Sequence, residues 1–141
     1  MARNGRLSGD ERGDVVEFVL VLIPLIYFVL GGIFVAIGLV GEIQAVAVEH
    51  VTLRAAAEEG YLGASAQADF QQALQQIRLP GGATLQPDTA LSTGSYQPIG
   101  DPVTVAVIYS YNSGLSFLGP ITATIQGTMP SQAVPTPPTV P

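Results

Sequence analysis

The sequence predicts an α+β fold: a long N-terminal transmembrane helix that continues into a small domain with a helix packed on an antiparallel sheet. Three observations predict it. Residues 19–41 form an apolar run of 23 positions with no Asp, Glu, Lys, Arg or His. Residues 64–78 repeat their apolar side chains at the helical period. Residues 103–111 and 121–129 repeat theirs every second position.

Composition narrows the function classes before any motif is read. Of 141 residues, 48% are hydrophobic and 11% charged, and the mean hydropathy is +0.41. Soluble domains average roughly 25% charged residues, so a free-standing soluble enzyme is disfavoured. Five Arg and no Lys stand against 11 Asp and Glu, a net charge of −6. No basic footprint for nucleic acid follows from that balance. With no Cys, disulfides, thiol nucleophiles and cysteine metal sites are all excluded. One His, His50, is little material for general-base or metal chemistry, and no cofactor is implied.

Taken in order, residues 1–13 read as a cytoplasmic leader. Residues 14–60 read as one long helix with its transmembrane span at about 19–41. A bilayer core needs roughly 20 apolar residues in a helix, and 23 residues at about 1.5 Å each reach roughly 34 Å. Arg3, Arg6 and Arg12 precede the run, and only Arg54 lies within the next 20 residues. The positive-inside rule then places the N-terminus in the cytoplasm and the C-terminus outside. The competing reading is a secretory signal cleaved near Ala47, where Ala45-Val46-Ala47 has small-x-small form. Pro24 removes one backbone donor within the run. Gly31, Gly32 and Ala36 are small, and the spacing of Gly32 and Ala36 permits close helix–helix approach.

Past the membrane, residues 42–59 lack Pro and Gly, and Gly60 is a candidate stop. No clean apolar stripe marks this half, so neighbours on several sides are expected. His50, Arg54 and Glu58 are spaced for surface pairing of Arg54 with Glu58, worth a few tenths of a kcal/mol. Residues 61–130 read as the extracytoplasmic domain. In the 64–78 helix, Ala66, Phe70, Ala73, Leu74 and Ile77 share a face, and Pro80-Gly81-Gly82 ends it. Residues 83–101 read as loop, with a short strand near 83–85. Val103, Val105, Val107, Tyr109 and Tyr111 form the apolar face of one strand; Ile121, Ala123, Ile125 and Met129 form that of the next. Asn, Gly and Pro between them mark a turn, giving an antiparallel pair. The expected core is Phe70, Leu74, Ile77, Val105, Val107, Ile121 and Ile125. Residues 131–141 read as an extended, mobile Pro-rich tail.

Glu17 enters the helix one residue before Phe18 and the apolar run. A carboxylate in a first turn is favoured by the helix dipole. It can equally pair with a positive group of a neighbouring chain in an apolar setting, which would set register.

Residues 12–26, RGDVVEFVLVLIPLI, carry a resemblance. Arg12-Gly13, then Asp14-Val15-Val16, Glu17-Phe18 and an aliphatic run holding Pro24 resemble the opening of TadE-like proteins, the minor pilins of tight-adherence (Flp) pilus systems. The likeness is strongest over residues 12–45, with a weaker echo in the two strands that close on Met129. It implies a pilin-like domain, a type IV pilus-like filament and a role in cell adhesion without catalysis. The implied partners are other pilin subunits, the pilus assembly machinery, membrane lipid and a prepilin peptidase cutting between Gly13 and Asp14. The expected subunit interface is Arg12, Glu17, Phe18, Gly31, Gly32 and Ala36, of which the resemblance itself implies Glu17. In the family motif the Glu is fifth after the cut, whereas Glu17 is fourth after Gly13. Processed and unprocessed forms therefore both stand as expectations, with the Asp14 amine or a neighbour's Arg12 as the partner of Glu17.

Overall fold

The computed structural model describes residues 9–135, with side chains from residue 13 onward. Two helices and three strands follow in order: α1 (Gly9–Glu59), α2 (Ala64–Gln76), β1 (Ala83–Pro87), β2 (Pro102–Tyr111) and β3 (Ile121–Pro130). The chain divides into two compact units, Met1–Ala36 and Ile37–Pro141.

In the first unit, α1 shows apolar residues on every side. Val15, Val16, Phe18, Leu20, Val21, Leu25, Phe28 and Val29 are all exposed. Pro24 lies inside the helix without ending it. α1 is long and apolar enough to cross a membrane.

The second unit is an α+β layer pair. Its sheet has the order β1-β2-β3, antiparallel throughout, with β2 central. Register sets Leu85 opposite Tyr109 and Ile125 opposite Val107. The face of Val103, Val105, Val107, Tyr109 and Tyr111 is buried, as the two-residue period predicts. Against it lies the second half of α1, and here the expectation of no clean stripe is corrected. Gly38, Gly41, Ala45, Val48, Thr52 and Ala56 recur at intervals of three or four and are all buried. The stripe is built of small residues, so a search for large apolar ones misses it.

Close approach is what the small residues permit. A β-carbon at Gly41 would collide with the Tyr109 hydroxyl, and one at Gly38 would lie 3.4 Å from the Tyr111 ring. From the sheet side, a β-carbon at Gly127 would collide with Glu49 Oε1 and come within 2.8 Å of Leu53. A large side chain of one layer thus stands directly against a glycine of the other, and Val48 and Leu53 fill the rest.

The core differs from expectation at four residues. Phe70, Val105 and Val107 are buried, but Leu74, Ile77 and Ile125 are half-buried and Ile121 is 38% exposed. β3 is an edge strand, so its inner face is covered only in part. α2 ends at Gln76, and Ile77 has already turned to extended backbone.

Two segments read as irregular are tied down. Residues 88–93 run along β2 where β1 stops. Asp88 N donates to Ala106 O (2.8 Å), Thr93 N to Thr104 O (2.8 Å) and Ala106 N to Ser92 Oγ (3.0 Å). The start of the tail is docked rather than mobile. Gln132 N donates to Ala57 O (2.7 Å), Ser131 Oγ donates to Gln97 O (2.9 Å), and Ala133 is buried. Residues 136–141 lie outside the described residues. At the junction of these pieces Gly60 takes φ +84°, which frees the chain to leave α1; a side chain there would strike Gln97 O.

Candidate functional site

Two groups of residues bear on function, one in each unit. The first is the set read from the N-terminal motif. Gly13, Asp14, Glu17 and Phe18 lie in α1, all exposed, Phe18 at 65%. Arg12 is within the same helix, and its side chain lies outside the described ones. Five residues of helix separate Arg12 from Glu17, or about 140° of rotation. Asp14 and Glu17, three apart, lie near one another on one side. Gly32 and Ala36 are exposed, Gly31 is half-buried, and neither glycine has an atom within 4 Å of where a β-carbon would stand. The close-approach surface they offer is open.

The second group was not foreseen. Along the α1–sheet seam, Gln44 Oε1, Glu49 Oε1 and the Tyr109 hydroxyl are buried without a hydrogen-bond partner. Glu49 is only 5% exposed. It stands about two turns beyond the apolar run, against Gly127. Burial holds its carboxyl above the usual carboxylate range, opposed by the attraction of neighbouring His50. Burial likewise raises the Tyr109 phenol, with Tyr111 and Glu42 acting in the same direction. The one signal that could have found this seam is the spacing of small residues from Gly38 to Ala56, with Glu49 set among them.

Neither group forms a catalytic constellation. His50 is exposed on α1. Among the described residues no cluster of three or more His, Cys, Asp or Glu could hold a metal ion. Arg54 and Glu58 meet at 3.9 Å as an exposed pair, the surface pairing expected of that spacing. A shallow hollow beside α2 is lined by Val51, Asp69, Gln72, Ala73 and Gln76. It offers carboxamides and one carboxylate, with no nucleophile and base set together.

No family model, curated protein or solved structure matches the chain.

Proposed function

We propose that this chain is a non-enzymatic, pilin-like subunit, held in a bacterial cytoplasmic membrane by the apolar half of α1 and assembled into a filament by helix packing. The N-terminus would be cytoplasmic and the second unit outside. The observation that carries the reading is the all-round exposure of apolar side chains over the first half of α1. A helix apolar on every face needs lipid or other helices around it. The N-terminal resemblance chooses between uses of such a helix.

The rival, a secreted module cleaved near Ala47, meets a specific difficulty. Cleavage there would remove Gly38, Gly41 and Ala45, which cover the Tyr109–Tyr111 end of the sheet. Cleavage between Gly13 and Asp14 would leave that cover in place.

Glu17 supplies the test. A carboxylate at the membrane edge costs little while water reaches it. It costs more once neighbouring helices exclude water, unless a positive group meets it. Glu17→Gln should therefore enter membranes like the parent but be depleted from sheared filaments. Arg12→Gln should be depleted likewise if the uncleaved chain is the assembling form. Equal recovery of Glu17→Gln and parent in filaments would remove the pairing and leave the helix dipole as the reason for a carboxylate there.

A further inference from the structure

The end of the second unit nearest the apolar run has a composition of its own. β2 ends and β3 begins beside Gly38: a β-carbon there would lie 3.4 Å from the Tyr111 ring and 3.2 Å from Ile121 Cδ1. The connection between them, residues 112–120, therefore leaves the sheet at the level where α1 enters its apolar run. It reads NSGLSFLGP, and Phe117 is 51% exposed with Leu115 and Leu118 half-buried. Three of its backbone N–H groups bond within the loop. Gly114 N donates to Asn112 Oδ1 (2.9 Å), Leu115 N to Ser113 Oγ (3.3 Å) and Leu118 N to Leu115 O (3.0 Å).

Charge near this end comes from other segments of the unit, with half-buried Glu42 following Gly41 on α1. No Asp, Glu, Lys, Arg or His follows Asp101 in the sequence, so the loop carries none. The turn beside it, where Asn112 N donates to Gly82 O (3.0 Å), is preceded by exposed Arg78. Pro80 of that turn also marks the level of Gly41, since its Cδ would lie 3.1 Å from a β-carbon there. Glu58, Glu59 and Asp101 gather at the other end, where Gly60, Gln97 and Ser131 are joined by hydrogen bonds. An apolar tip with Arg78 at its rim, level with the end of the apolar run, matches a lipid surface.

We propose that residues 112–120 form a second membrane contact: Leu115, Phe117 and Leu118 insert into the outer surface of the bilayer that α1 crosses, with Arg78 at headgroup level. The proposal rests on the membrane reading above and adds to it that the second unit sits on the bilayer rather than clear of it. Gly38 lies three residues inside the end of the apolar run at Gly41, about 4.5 Å along the helix. Tyr111 and Ile121, from which the loop leaves the sheet, are thereby level with the last turn of the apolar run.

The chain has no Trp, so a single introduced indole reports without background. Phe28→Trp, Phe117→Trp and Tyr96→Trp variants of the full chain would each be reconstituted in phosphatidylcholine–phosphatidylglycerol vesicles. Quenching by lipids brominated near the top of the acyl chain is then read. Phe28 lies within the apolar run; Tyr96 is on the segment hydrogen-bonded to Ala133, at the far end. The expected result is about twofold quenching of the Phe117→Trp variant, a blue-shifted emission, and none at Tyr96→Trp. Leu115→Trp should behave as Phe117→Trp does, which guards against a fault of one variant. Quenching at Phe28→Trp but not at either loop variant would overturn the loop contact and keep the span. Absence of quenching at all positions would overturn both. A blue shift at Phe117→Trp that grows with protein density and without lipid quenching would mean that a second copy covers the loop, which also overturns the proposal.

Discussion

At Gly41 the absence of one methyl group sets how closely helix and sheet approach. The Tyr109 hydroxyl occupies the space a β-carbon would need, and it has no hydrogen-bond partner there. Gly41→Ala should destabilise the second unit by about 1–3 kcal/mol through overpacking. Tyr109→Phe removes an unsatisfied hydroxyl and the nearest obstruction but leaves Cζ 2.7 Å from a β-carbon at Gly41, so it should be neutral or stabilising by itself and should rescue Gly41→Ala in part. Thermal unfolding of the two single variants and the double variant checks this; additive losses would refute the contact. Glu49 makes a second prediction. Its carboxyl is raised above the ordinary value of 4.5 by burial, so folding favours the protonated form. Stability from this group is then greatest below that value and declines as pH rises through the higher folded value. Glu49→Gln should flatten that decline and raise stability at neutral pH by about 1 kcal/mol. A pH series of unfolding midpoints with parallel curves for parent and variant would contradict it.

Among the elements, β2 carries the fold. It is the central strand, and its inner face is buried from Val103 to Tyr111. Val107 has no exposed surface and lies between Pro87 on β1 and Ile125 on β3. Val107→Asp would bury a charge with no partner, costing several kcal/mol. Limited proteolysis should cut this variant readily within the second unit; parent-like resistance would show that the strand face is misassigned. β2 was the element most legible in the sequence, because alternation over Val, Tyr, Thr and Ser admits one register of faces. α2 was legible from Ala66 and Phe70, but not the partial exposure of Leu74 and Ile77, which depends on what lies across from them. The packing face of α1 was hidden for a different reason. Gly38, Gly41, Ala45 and Ala56 have little hydropathy to reveal a stripe, and their role comes from size. β1 was half legible: five residues with one buried side chain, Leu85, give periodicity little to work on. The pairing of residues 88–93 with β2 was not legible, since a Ser hydroxyl accepting from Ala106 N leaves no pattern in the sequence.

On the scale of the whole molecule, the apolar run and the composition read directly from the sequence, while the buried Glu49 and the Tyr109–Gly41 contact needed the fold. Glu17, Phe18, Gly32 and Ala36 are exposed and Gly31 is half-buried, and in the proposed filament a second chain would cover them. The central claim is that α1 remains part of the working protein, as membrane anchor and as packing surface. Its most direct test is the intact mass of the native protein, measured separately in carbonate-washed membranes and in sheared surface filaments. The account predicts a chain in both fractions that keeps residues 14–47, whether or not it begins at Asp14. A soluble species beginning near Val48, with nothing in either fraction, would contradict it.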